Sequence, residues 1–360
     1  MTANLAVDQK LRQLRRRANR LALALAYRFH WPLSPGLPQI MMIEPTNLCN
    51  LRCPLCPTGN RGLQRRKGFM EMGLYRRILA ETDGALERLR LYNFGEPFLH
   101  PHIFEMISLA QGAEVKTLVS TNGLVFADAR QVDALIDSRL DRLRVSIDGA
   151  SQQTHQQYRV GSQLETILQG VELLLQRQRL REKKRPRVEL QFIVMRHNEH
   201  ELPEMRSLAK SLGVPLRIKS VGLGSLVQPR AEQPGAPVAQ PAPPEQDPAR
   251  WLPVGSAAPR RYDQHGGVLT LAGGGMPAMC DHPWHRLVVN WDGSATACCY
   301  DHEGLFAFGS ATHGIRRLWN GAGIQNLRRA MRRGDLPEVC LSCSVRLWNS
   351  QRMAIVENDI

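Results

Sequence analysis

Between residues 39 and 222 the chain alternates short aliphatic runs with longer stretches whose apolar residues recur every three or four positions. The runs are QIMMIEP (39–45), RLRLYN (88–93), VKTLVS (115–120), DRLRVSI (141–147), VELQFIVM (188–195) and PLRIKSV (215–221), and each reads as a strand. Helical spacing falls between them near 72–82, 101–112, 129–138, 163–180 and 199–212. In the last of these, Asn198 reads as the N-cap ahead of Leu202, Met205, Leu208 and Leu212. Six βα units in series predict a parallel sheet with right-handed crossovers. Curved, such a sheet is a partial (β/α)6 TIM barrel, an α/β fold whose reactive groups belong at the C-terminal ends of the strands.

The pattern changes on both sides of residues 39–225. Residues 1–38 form a basic arm in which Leu11, Leu14, Ala18, Leu21, Leu25 and Phe29 keep helical spacing while Arg12, Arg15, Arg16 and Arg20 fill other positions. Such a helix has two destinations: its apolar stripe packs on the protein's own barrel, or it lies on a membrane surface. Residues 226–265 are rich in Pro, Ala and Gln and read as a linker or loop. Residues 266–360 then form a second, smaller domain, with the turn-like NWDGSATACCYD between two strand candidates and a helical IQNLRRAMRRG after it.

With 360 residues, 43% of them hydrophobic, the chain can bury a large core, which excludes disorder as its main state. It holds no run of about 18 apolar residues and no signal-peptide pattern, so the expected location is cytoplasmic, with peripheral membrane contact through the arm as the option. A net charge of +14 points to an anionic partner: a phosphorylated or sugar-like small molecule, a lipid headgroup or nucleic acid. Nucleic acid is disfavoured, because aromatic residues make up only 6% and no RNA-binding motif interleaves them with the basic ones.

Eight cysteines, clustered at 49/53/56, 280, 298/299 and 340/343, argue for metal rather than disulfides in a reducing compartment. Cys49, Cys53 and Cys56 stand in EPTNLCNLRCPLCPTGN, just after the first strand. Thiolates suit zinc, Cu(I) and iron–sulfur clusters, and closed zinc sites want four ligands. Three, with no fourth in the loop, would leave one iron of a cubane open to a reactant.

This C-x-x-x-C-x-x-C loop resembles that of the radical S-adenosylmethionine (SAM) enzymes, and further segments extend the likeness. NFGEP resembles the family's Gly-Gly-Glu-Pro segment with Phe94 in place of the first glycine, so Gly95, Glu96 and Pro97 are implied near the SAM amino group. STNG implies Ser120 and Asn122 as SAM contacts, and SIDGASQQTHQQYR implies Ser146 and Arg159 for ribose and carboxylate. The C-terminal cysteines resemble a SPASM or shorter twitch-type domain, which implies Cys280, Cys298, Cys340 and Cys343 as ligands of one auxiliary cluster. The implied cofactors are two [4Fe–4S] clusters and SAM, with an external one-electron reductant of the flavodoxin or ferredoxin kind as partner. Cys299 is left over, as a buried neighbour, an alternative ligand or a hydrogen-donating thiol. The resemblance implies an oxidoreductase. The leading expectation is dehydrogenation of a sugar- or cyclitol-like alcohol with the auxiliary cluster as electron acceptor. Epimerisation of a sugar-like substrate with Cys299 as donor and modification of a ribosomal peptide are the alternatives. A lipid- or nucleic-acid-binding iron–sulfur protein is the non-enzymatic one.

Overall fold

The computed structural model describes residues 2–222, 248–255, 262–265, 268–271, 280–337, 340 and 354–357. Most of the Pro-rich segment 226–265, and Cys343, lie outside the described residues. Six parallel strands follow one another in order: β1 (Ile40–Ile43), β2 (Arg88–Leu91), β3 (Lys116–Thr121), β4 (Arg142–Ser146), β5 (Arg187–Val194) and β6 (Leu216–Ser220). The helices between them are α2 (Met72–Glu81), α3 (Ile103–Gly112), α4 (Ala129–Asp137), α5 (Gln152–Tyr158), α6 (Leu164–Leu180) and α7 (Leu202–Leu212). Their apolar stripes, such as Ile103, Met106, Ile107 and Ala110 of α3, close on the outward strand residues Leu89, Leu91, Val119, Leu143, Val145, Leu190 and Phe192 in one continuous core. The architecture is the partial barrel that the periodicity predicts.

Because strand side chains alternate, the residues between these core positions face the concave side. They are Arg90 and Tyr92, Leu118 and Ser120, Arg142 and Arg144, Glu189 and Gln191, and Arg217 and Lys219. The second domain adds to the same sheet. After β7 (Tyr262–His265) and β8 (Val268–Leu271), which pair with each other, a short α8 (His282–His285) leads into β9 (Arg286–Val289). This strand pairs parallel to β1 and turns through Asn290 and Gly293 into β10 (Ala295–Thr296). α9 (Ile315–Trp319) and α10 (Ala322–Arg333) follow, and β11 (Ala354–Glu357) pairs antiparallel with β6, giving nine strands in the order β10-β9-β1-β2-β3-β4-β5-β6-β11.

Two readings need correction. Asn198 does not cap α7: its side chain accepts from Met195 N at 2.7 Å and donates to the carbonyls of Asp148 and Ile193 at 3.1 and 2.9 Å, and a single 3-10 turn (Glu199–Glu201) separates it from the helix. Nor does the apolar stripe of α1 (Thr2–Arg28) pack on the barrel. The helix docks with its opposite face. Arg12 and Arg20 pair with Asp83 and Glu87 on the turn into β2, and Arg16 donates to the Ala113 and Glu114 carbonyls on the turn into β3. Asn19 bridges both backbone groups of Leu37, and Leu23 and Ala26 are fully buried. α1 therefore lies across the N-terminal ends of the strands, away from the end where a barrel site forms.

Candidate active site

The cysteine loop leaves β1 at its C-terminal end. Cys53 is buried, and Cys49 and Cys56 are half-buried. Cys56 N donates to Cys53 O at 3.1 Å and Asn60 N to Cys56 O at 2.9 Å, a tight coil around the last two cysteines. Burial pushes the Cys49 thiol up to about 11, partly offset by the Leu51 N–H at 3.4 Å from its sulfur. Burial also raises Cys53, and the Arg159 guanidinium, whose Nη1 lies 3.9 Å from Sγ, pulls it back. Three thiols on one short loop, two of them facing a donor N–H or a cation, make a donor set that fits a cluster carrying negative charge on three thiolates. The base of the loop is fixed by Arg65, which forks onto the fully buried Glu44 at 2.9 and 3.0 Å and donates through Nε to His302 O at 2.6 Å.

The neighbouring strand ends close on this loop. Gly95 has φ +87°, and a Cβ there would sit 2.4 Å from Thr46 O and 2.7 Å from Leu48 O, so only glycine lets NFGEP lie against the cysteine loop. Glu96 N donates to Leu48 O at 2.7 Å, and Pro97 opens the 3-10 turn that follows. The buried Glu96 carboxylate accepts from Thr121 Oγ1 at 2.7 Å, Asn122 N at 2.8 Å and Phe98 N at 3.2 Å, which join the ends of β2 and β3. Burial raises its pKa, and those donors act against the rise. The Asn122 amide donates to Asn50 Oδ1 at 2.7 Å, inside the cysteine loop. Ser120 is half-buried opposite Arg144, and Ser146 accepts from Gln191 Nε2 at 3.4 Å.

Arg159 is held by a residue that the sequence reading passed over. Asp148, wholly buried in the SIDG segment, accepts from Arg159 Nε at 2.6 Å and from Ile193 N at 2.7 Å. Its own N–H donates to His155 Nδ1, whose ring is buried against Ser162 and titrates down at about 4 because burial disfavours its charge. The Asp in this motif was visible, but nothing in its spacing said that it would pair with the arginine eleven residues on.

The concave face was also missed, although RLRLYN, DRLRVSI and PLRIKSV carry basic residues at alternate positions. Glu189, 4% exposed, takes the guanidinium of Arg144 and, at 3.5 Å, that of Arg142; Arg144 also donates to Tyr92 Oη at 3.4 Å. Burial, then the charge of Arg144, push Arg217 down, and its Nε is buried with no hydrogen-bond partner. Arg90 forms no ion pair among the described residues, and its charge reaches Arg217 although three strands separate β2 from β6. The Cys299 thiol is drawn down to about 6 by a hydrogen bond with Cys298, against burial, with the charges of Arg90 and Lys219 adding to the shift.

Of the auxiliary cysteines, Cys280 precedes α8 and β9 while Cys298 follows β10, so both leave the open end of one hairpin. Cys340 follows α10, which packs on α8 through Arg328 Nε to Pro283 O at 2.9 Å. The ligand atoms of Cys280, Asp281 and His282 all lie within 4.8 Å of one another. Past Cys298 the chain returns to the first cysteine loop, where Glu303 accepts from Gln64 N at 3.0 Å and His302 meets Phe94.

Residues 43–209 match the family model described as the radical SAM superfamily, and residues 280–344 match the iron–sulfur cluster-binding domain SPASM. The chain belongs to the radical SAM superfamily. Within it, this is a SPASM-type member, and the two domains imply SAM, a [4Fe–4S] cluster and auxiliary iron–sulfur. It is 28% identical over 185 residues to an AdoMet-dependent heme synthase of Methanosarcina barkeri, which covers 49% of this chain and 48% of that one. To a PqqA peptide cyclase of Gluconobacter oxydans it is 27% identical over 181 residues, 50% of this chain and 48% of that one. The chain spans about half the length of these curated relatives. Among solved structures, Streptococcus suis SuiB bound to its precursor peptide SuiA superposes with a TM-score of 0.59 at 12% identity, covering 91% of this chain and 74% of that one, a likeness of fold.

Proposed function

We propose that this radical SAM enzyme removes a hydrogen atom from a carbinol carbon of a sugar- or cyclitol-like substrate that carries an anionic group, and oxidises that carbon to a ketone. When bound, the SAM-ligating cluster and SAM supply a 5′-deoxyadenosyl radical, and the auxiliary cluster supplies an acceptor for the second electron. Cys49, Cys53 and Cys56 would ligate the first cluster. Gly95, Glu96, Ser120, Asn122, Ser146 and Arg159 would hold SAM, with Asp148 keeping Arg159 turned toward Cys53. Cys280, Cys298, Cys340 and Cys343 would ligate the second.

The observation that carries this reading is the cationic lumen. Arg90, Arg142, Arg144, Arg217 and Lys219 face it, and Glu189 is the one carboxylate hydrogen-bonded to any of these arginines among the described residues. A guanidinium with a buried, unpartnered Nε gains most from a phosphate or carboxylate that supplies the missing acceptor. Such a group would anchor the substrate and leave its polyol end toward the SAM site. Oxidation releases one hydrogen atom, one further electron and one proton.

One finding favours the second reading, epimerisation. The Cys299 thiol feels the charge of two lumen-facing cations, Arg90 and Lys219, and a thiol within their reach could return a hydrogen atom to the substrate carbon. An anaerobic assay separates the cases. Formation of 5′-deoxyadenosine should rise above the substrate-free background with sugar phosphates or nucleotide sugars, and Arg217→Gln should raise KM for them. Stimulation only by neutral cyclitols or by peptides would refute the anionic anchor. In deuterated water, an epimer labelled at the altered carbon, lost in Cys299→Ala, would replace oxidation by epimerisation.

A further inference from the structure

The N-terminal helix is amphipathic, but it is mounted in reverse. Its arginine face reaches the barrel through Arg12, Arg16 and Arg20, while the apolar stripe points into solvent from Val7 onward. Leu14 is 59% exposed, Leu21 61% and Phe29 56%. Val7, Leu11 and Leu25 continue the stripe, and past the helix end Trp31 stacks on Phe29 with ring centroids 5.8 Å apart. Contiguous apolar surface of this extent marks an interaction site.

The charges around the stripe decide what covers it. Lys10, Arg17 and Arg28, all exposed, fall along one flank of it at 3.6 residues per turn. No acidic residue occurs between Asp8 and Glu44. A second copy of the helix laid against the stripe would bring like charges together, whereas paired helices place opposite charges beside their seam. An anionic bilayer surface offers both things that the helix displays: a hydrocarbon boundary for leucines and aromatic rings, and phosphate oxygens for the flanking cations. No helix among the described residues is long and apolar enough to cross a membrane. We infer that α1 docks the enzyme on an anionic membrane surface, inserting its apolar stripe at the headgroup boundary. The N-terminal ends of the barrel strands then face the lipid, and the Cys49/Cys53/Cys56 loop faces away from it.

Co-sedimentation of the full-length, cluster-loaded protein with phosphatidylglycerol vesicles tests this, with phosphatidylcholine vesicles alongside. Binding should be at least about tenfold stronger to the anionic vesicles and should weaken as salt rises. The variant Leu14→Glu/Leu21→Glu, which changes two side chains that already stand in solvent, should lose binding roughly tenfold or more while iron content stays the same. Arg17→Glu should weaken binding without touching the stripe. Equal binding by wild type and the double variant would overturn the inference, as would no binding to either vesicle. So would a wild-type dimer in sedimentation velocity that the double variant dissolves, since the stripe would then be a contact between copies.

Discussion

Changing Asp148 to Asn would test how Arg159 is held beside Cys53. Asparagine keeps the volume and can still accept from Ile193 N at 2.7 Å, so the change falls on the 2.6 Å bond from Arg159 Nε and on the charge behind it. Removing one partner of a buried ion pair costs about 3–5 kcal/mol, because the other charge is left without compensation. The Arg159 side chain keeps 14% exposure, so water relieves part of that penalty and the lower end, about 3 kcal/mol, is expected. The asparagine NH2 would also face the guanidinium, donor against donor, and turn it away from Cys53 and Tyr158. The measurements are urea unfolding and SAM titration of anaerobically reconstituted protein, for Asp148→Asn, Arg159→Gln and the pair together. The double variant should be more stable than additivity of the singles predicts by about 2 kcal/mol. SAM affinity should fall roughly tenfold in each single variant, with the first cluster retained. A coupling below about 0.5 kcal/mol would refute the account, since independent sites add to within that margin.

Three other outcomes are expected. Reconstituted protein should carry about eight irons by chemical analysis, and a Cys49/Cys53/Cys56 triple alanine variant should keep about half of them and cleave no SAM. Gly95→Ala should lower Tm and abolish measurable SAM binding, because the positive φ alone costs about 1–2 kcal/mol and the added Cβ meets two backbone carbonyls that cannot yield. His155 titrates at about 4 when folded against 6.5 for an ordinary histidine, so on acidification the unfolded chain takes its proton first. Its contribution is therefore complete above pH 6.5 and lost as pH falls toward 4, by up to about 3 kcal/mol, and His155→Gln should flatten that part of the urea midpoint against pH.

The barrel strands and the first cysteine loop were legible because their signals are local. Alternating or continuous aliphatic runs report a strand, and three thiols in eight residues report a ligand loop, whatever the rest of the chain does. What was not legible depends on distant partners. The periodicity of α1 shows two faces but not which one docks; that was decided by carboxylates at Asp83 and Glu87 that happen to match its arginines. Asn198 looked like a cap because it precedes a helix, and it was taken instead by the buried turn around Asp148. Helix α5, QQTHQQY, has no apolar period to announce it and is started by Ser151, whose hydroxyl accepts from Thr154 N. The pairing of β9 with β1 joins residues about 246 apart in sequence, where no pattern of either strand alone could indicate it.

Arg65 fastens the radical-SAM loop to a chain segment from the other domain, and Glu303, the residue after Arg65's own carbonyl contact at His302, adds a second stitch. The barrel and the SPASM-type domain are thus sewn together through one backbone group on each side, Gln64 N and His302 O, eight residues past Cys56 and four past Cys298. Iron loaded at one site should therefore stiffen the border of the other, and cutting the chain between the domains should leave two fragments that each lack these contacts.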